Sequence, residues 1–146
     1  MVLIRDFTIG DHAEVVKLWQ SVKGVCNCEK CMFLDTEEQI ARFLERNPGL
    51  SQIAVENGVL IGTILVGHDG RTGFIYRLTV LEEFRNCGIA TQLVQKAIEV
   101  LKDEGITNVK AFVLNDNLGG NAFWEKVGFE VSTRAMTREC TISIDN

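Results

Sequence analysis

The chain has 146 residues, 46% of them hydrophobic, with 13 Gly and a single Pro. That is enough for one domain with its own core, and no linker, repeat or low-complexity tract divides it. A formal net charge of −5 and a pI near 5.1 argue against nucleic acid, which is bound through clustered Lys and Arg, and suit a cationic substrate.

Charge arrives too early, at Arg5 and Asp6, for a signal peptide. No apolar run approaches membrane-spanning length, so a soluble, cytoplasmic protein is expected. Val2 to Phe7 reads as a first strand. Asp11 followed by Glu14 resembles a capping box, and Val15, Leu18, Trp19 and Val22 then share a helical face. Gly24 to Phe33 has no periodicity and is expected to be irregular. Thr36 with Gln39 is a second capping signal, Ile40, Phe43 and Leu44 form an apolar stripe, and Asn47-Pro48-Gly49 stops that helix.

Gln52 to Glu56 and Val59 to Gly67, joined by Asn57-Gly58, predict a β-hairpin. Asp69-Gly70 turns the chain again into a third antiparallel strand, Gly73 to Leu81, with His68 at the solvated turn. Cys87 to Glu104 is an amphipathic helix with Ile89, Leu93, Val94, Ala97, Ile98 and Leu101 on one side, ended by Gly105. Asn108 to Leu114 follows as a strand, parallel to its predecessor because a helix connects the two. Leu118 to Val127 reads as a short helix closed by Gly128 and Phe129. Met136, Cys140, Ile142 and Ile144 alternate with polar residues, the pattern of a half-buried final strand. The fold class is therefore α/β: a mixed, mostly antiparallel sheet with helices on both faces, in one domain over 1–146.

The most informative stretch is Arg85-Asn86-Cys87-Gly88-Ile89-Ala90, between strand and helix. A helix N-terminus leaves backbone N–H groups unpaired and concentrates partial positive charge, which attracts phosphate. Gly88 and Ala90 let a large anion approach the backbone, and Arg85 adds charge at the rim. The stretch is neither a Walker A loop nor G-x-G-x-x-G.

Leu78-Thr79-Val80 together with Phe84-Arg85-Asn86-Cys87-Gly88-Ile89-Ala90 resembles the acyl-CoA motif of the GNAT N-acetyltransferases. Asn117-Leu118-Gly119-Gly120-Asn121-Ala122-Phe123-Trp124-Glu125-Lys126-Val127-Gly128-Phe129 is similar to the later block of the same family. Gly67-His68-Asp69-Gly70-Arg71 and Phe-Trp-Glu-Lys look like its YpeA-like branch. The resemblance runs from Ile4 to Phe129. It implies a splayed central strand pair admitting the pantetheine arm, with the first two helices walling the acceptor groove. It also implies acetyl-CoA as cosubstrate and a primary amine, small-molecule or protein-borne, as acceptor, with a homodimer among the assemblies expected. Cofactor contacts would come from Leu78, Thr79, Val80, Arg85, Asn86, Cys87, Gly88, Ile89, Ala90, Thr91, Asn117, Asn121 and Trp124. The thioester oxygen would lie against backbone N–H groups of Leu78 to Val80, freed by a β-bulge.

Three positions depart from the family pattern. Where many members carry Glu or His on the substrate-facing side of the central strand, Phe74 and Tyr76 stand here, and neither is a base at neutral pH. A water chain to Glu38, Glu82 or Glu83 is an alternative. Trp124 occupies the position of the family's usual Tyr, and an indole N–H is no acid for a departing thiolate. Trp124 therefore either packs on the cofactor arm or core, or shares a catalytic role, while Tyr76, the only Tyr, is the other catalytic candidate; solvent is the third proton source. These departures keep open a non-catalytic acyl-CoA sensor, and less readily a nucleotide-binding regulator. Cys87, at a helix N-terminus, is read as a small residue offering its backbone N–H rather than as a nucleophile.

The five cysteines are an odd number in a chain expected to be intracellular, which argues against a disulfide framework. Cys26, Cys28 and Cys31 spell C-x-C-x-x-C. A tetrahedral site needs a fourth ligand, for which only His12, His68, Cys87 and Cys140 stand available, so the three are expected to be reduced thiols holding no metal.

Overall fold

The computed structural model describes residues 1–142. Five strands run in the sheet order β1-β2-β3-β4-β5: β1 Val2–Asp6, β2 Gln52–Glu56, β3 Val59–His68, β4 Thr72–Val80 and β5 Asn108–Ala111. The first three pairings are antiparallel and β4–β5 is parallel, so the mixed sheet expected from the connections is present. The β2–β3 turn carries positive φ at both Asn57 (50°) and Gly58 (78°). That is the geometry for which an Asn-Gly pair is suited, and its twist matches that of the strands it joins.

Helices cover both faces. α1 (His12–Ser21) and α3 (Glu37–Arg46) bury Val15, Leu18, Trp19 and Ile40 against Ile53 and Leu65 of the sheet. On the opposite face α4 (Ile89–Asp103) and α5 (Leu118–Lys126) bury Leu93, Val94, Ala97, Leu101 and Trp124 against Ala54, Ile61, Ile64 and Ile75. Truncating a fully buried leucine such as Leu93 or Leu101 would cost about 2–5 kcal/mol. No helix among the described residues is long and apolar enough to cross a membrane.

Four local readings need correction. The α1 entry is organised one turn early: Asp11 Oδ2 accepts from the Thr8 N–H at 3.0 Å, and the Asp11 carboxylate also receives Arg5. The segment expected to be irregular contains α2 (Glu29–Leu34), with Cys28 as its N-cap; six residues are too few to show periodicity. β5 stops at Ala111 rather than Leu114, because β4 and β5 diverge after Ile75 and Ala111 and the last bond between these segments is Phe112 N–H to Ile75 O, 3.3 Å. Met136 to Ile142 forms no strand: alternation supplies a pattern but needs a free partner edge. The remainder of that expected strand, Ser143 and Ile144, lies outside the described residues.

Candidate active site

β4 carries the central irregularity. Thr63 pairs with Thr79 and Leu65 with Tyr76, so two steps on β3 match three on β4. The extra residue is accommodated around Arg77, whose φ is +55°. A bulge breaks the alternation of side chains, and consecutive residues Tyr76 to Val80 all line one cleft. Because β5 has already ended, backbone groups of this stretch directed away from β3 face the cleft rather than another strand.

The cleft has a volume of about 1640 Å³. Its first arm leads from the β4–β5 divergence to the start of α4, with Leu78, Thr79, Val80, Arg85, Asn86, Gly88, Ile89, Ala90, Thr91, Asn117 and Trp124 in its walls. Gly88 is the N-cap of α4 at φ +81° and gives no side-chain cap, whereas Thr36 and Asn117 cap α3 and α5 with their side chains. The first N–H groups of α4 therefore have no side-chain acceptor. A Cβ built on Gly88 would meet nothing within 4 Å, which leaves open space above the backbone for a large anion. Two residues expected at this site, Cys87 and Asn121, stand outside the lining. The Cys87 side chain is turned to Arg85 O at 3.5 Å, and the Asn121 carboxamide donates to Leu114 O and Asn117 O at 3.0 and 2.9 Å.

The second arm is walled by the segment before α2, by α3 and by β4. Tyr76 lies parallel to Phe112, with centroids 5.1 Å apart and planes 4° apart, and meets Phe43 edge-on at 6.1 Å. Burial pushes its phenol above the ordinary tyrosine value, so it stays protonated through the neutral range. Phe74 stacks on both Tyr76 and Phe112 but is absent from the lining. Trp124 is buried, edge-on to Phe129 at 4.7 Å and to Phe123 at 5.5 Å; it both belongs to the core and borders the cleft.

Sequence reasoning did not single out Asp35 and Arg77. Arg77 donates to Asp35 Oδ2 at 2.6 Å and to Cys26 O at 2.7 Å. Desolvation raises the Asp35 pKa, with Arg77 opposing it. Asp35 and Glu45 are carboxylates of the lining, whereas Glu38, Glu82 and Glu83 are not part of it. No residue type announces a bulge, and simple alternation would turn Arg77 away from Tyr76, so this pair had no signal in the sequence.

The three clustered thiols also meet here. Their sulfurs all lie within 4.8 Å of one another, and Cys26 and Cys31 line the second arm. The Cys31 N–H, then the neighbouring thiols, lower the Cys28 pKa to about 7. Cys31 is pushed up to about 12, first by the Cys26 thiol and then by burial.

The Acetyltransferase (GNAT) family matches over residues 13–129. The chain belongs to this family. An acetyltransferase of Pectobacterium atrosepticum is 32% identical over 131 residues, spanning 87% of this chain and 86% of that protein. A GNAT-family acetyltransferase of Staphylococcus aureus superposes with a TM-score of 0.79 at 17% identity, over all of this chain and 95% of its own. The PaiA N-acetyltransferase of Thermoplasma acidophilum, solved with coenzyme A, gives 0.76 at 21% identity, over 90% and 91%. The GNAT fold thus accounts for the diverging β4–β5 pair and for the α4 N-terminus at one end of the cleft between them.

Proposed function

We propose that this GNAT domain, of the YpeA-like branch, is a cytoplasmic N-acetyltransferase that moves the acetyl group of acetyl-CoA to a primary amine by direct attack. The observation that carries the reading is the uncapped, glycine-started α4 facing a cleft that continues into the β4–β5 divergence. Arg85 to Ala90, with Thr91, would hold the pyrophosphate through backbone N–H groups and the Arg85 charge. The pantetheine arm would lie along Leu78 to Val80, with Asn117 and Trp124 on its other side.

The amine nitrogen attacks the thioester carbonyl, a C–N bond forms, and the C–S bond then breaks. Negative charge gathers on the carbonyl oxygen, and backbone N–H groups of the Leu78 to Val80 stretch would be its donors. The amine loses its proton to water, with Asp35 as the carboxylate of the second arm where that proton can rest. Tyr76, held protonated by burial, hydrogen-bonds to the departing thiolate while negative charge grows on sulfur, and Trp124 packs. Transfer itself needs no metal, since each charge that develops has a protein or solvent partner. The chain as a whole carries −5, which suits a cationic acceptor, but the lining of the second arm sets Lys23, Arg42, Arg46 and Arg77 beside Asp35 and Glu45, so the arm itself does not select a cation.

The test is release of CoA thiol from acetyl-CoA across a panel of amines, with mass detection of the acetylated product. Turnover with an amine supports the transferase. Tight acetyl-CoA binding without turnover on any amine would favour the acyl-CoA-sensing alternative, to which Phe74 and the buried Trp124 lend support.

A further inference from the structure

Cys26, Cys28 and Cys31 sit in the segment between α1 and α2 and in the first turn of α2. Cys26 Sγ and Cys31 Sγ are 3.0 Å apart, and all three sulfurs fall within 4.8 Å of one another. Zinc thiolate bonds of about 2.3 Å at tetrahedral angles place sulfurs about 3.8 Å apart, a value inside this range. The three sulfurs thus already lie within the span of a coordination triangle. The Cys31 N–H also points at Cys28 Sγ, at 3.5 Å, and a donor so placed favours the charged thiolate that metals require.

The objection from sequence was the missing fourth ligand. Among the described residues none of the other histidines, cysteines or acidic residues joins the cluster, and the nearest histidine in the chain, His12, is engaged through Nε2 with Asp35 O at 2.7 Å. Three protein ligands nevertheless suffice for zinc when a water or an exogenous group fills the fourth place.

We propose that Cys26, Cys28 and Cys31 form a thiolate site for zinc(II), with one coordination position left for solvent or a small exogenous ligand. Binding forms three Zn–S bonds and releases to solvent the protons those thiols carried. Three thiolates on a divalent cation leave one net negative charge, beside Lys30, which also bonds Glu139 at 2.9 Å, and Arg77, which bonds both Cys26 O and Asp35. The site is separate from acetyl transfer and acts on the shape of the second arm: zinc would tie Cys26 and Cys31 together and hold their segment against Arg77.

The experiment uses the full chain, reduced and stripped of metal, titrated with cobalt(II) and then with zinc(II) against a chromophoric chelator. One equivalent of cobalt should produce an intense sulfur-to-metal charge-transfer band with visible bands of tetrahedral strength, and zinc should displace it with a dissociation constant below about 1 μM. Cys28→Ser and Cys31→Ser should each weaken zinc binding at least 100-fold, whereas Cys140→Ser should leave it unchanged. Circular dichroism confirms that each variant is folded. Absence of the charge-transfer band, or zinc binding equally tight in Cys28→Ser and Cys31→Ser, would overturn the proposal whether or not the chain acetylates amines.

Discussion

Arg77 reaches from the bulge of β4 to Asp35, guanidinium to carboxylate at 2.6 Å, with both side chains nearly nine-tenths out of solvent. The same guanidinium holds Cys26 O at 2.7 Å and lies 5.3 Å from the centre of the Trp19 ring. One residue in a left-handed conformation thus ties the central strand to α1 and to the segment that walls the second arm of the cleft.

Arg77→Met should leave Asp35 sheltered without its cation, and losing one partner of a largely buried pair is more costly than losing both. A loss of about 2 kcal/mol is expected by chemical denaturation, with part of it recovered in the Arg77→Met/Asp35→Asn double variant. Acetyl-CoA affinity should change little, because the loop proposed to hold the pyrophosphate, Arg85 to Ala90, lies at the other end of the cleft. A double variant no more stable than the sum of the two single ones would show that the pair is not energetically coupled.

Two of the shifted carboxylates, Asp11 and Asp35, should act on stability with opposite sign. Asp11 is held below the ordinary range chiefly by its hydrogen bonds from Arg5. Its contribution is present above the ordinary carboxylate pKa and is lost as pH falls through its lower folded value. Asp35, raised by burial, favours folding most in acid, and that contribution fades as pH rises from the ordinary value through its higher folded one. Asp11→Asn should therefore narrow its stability deficit on acidification, and Asp35→Asn should flatten the mildly acidic part of the profile. Both effects are read as a change in the slope of stability against pH, measured by urea denaturation across pH.

At the cofactor loop, Gly88→Val should weaken acetyl-CoA binding at least tenfold, about 1.4 kcal/mol. A Cβ at this position meets no protein atom within 4 Å. Its effect comes from occupying the anion's place and from straining a β-branched residue at φ +81°. Calorimetry showing undiminished affinity in a folded variant would remove the pyrophosphate assignment.

The meander, the crossover helix and the glycine-started entry to α4 were legible because each rests on a local rule: Asn57-Gly58 for its turn, a helical stripe from Ile89 to Leu101, small residues at Gly88 and Ala90. What stayed hidden depends on residues distant in the chain. Arg77 looks like an ordinary strand residue until the β3–β4 register shows the bulge, and Asp35 looks like a residue before a helix cap until Arg77 arrives from 42 positions away. The short α2 and the meeting of three sulfurs are likewise products of tertiary placement. The expected last strand failed for the converse reason, since Met136 and Ile142 carry the alternation yet stay 77% and 79% exposed.

Proton delivery to the departing thiolate can be tested at Tyr76 and Trp124 together. Tyr76 lines the cleft beside the bulge. Its raised pKa makes full proton transfer to a thiolate uphill, yet it keeps the phenol available as a donor while negative charge grows on sulfur. Tyr76→Phe retains the stack on Phe112 and removes only the donor. We expect kcat to fall about 100-fold, the usual scale of positioned proton transfer, with acetyl-CoA affinity nearly unchanged. Trp124, wedged edge-on between Phe123 and Phe129, should behave as a packing residue: Trp124→Ala is expected to cost about 3–5 kcal/mol of stability. Trp124→Tyr should fold, retain activity and bring a second phenol to the cleft. Wild-type turnover by Tyr76→Phe on its own acceptor would assign the proton to solvent, and the Trp124→Tyr, Tyr76→Phe double variant would then report whether a phenol at 124 adds anything to what water supplies.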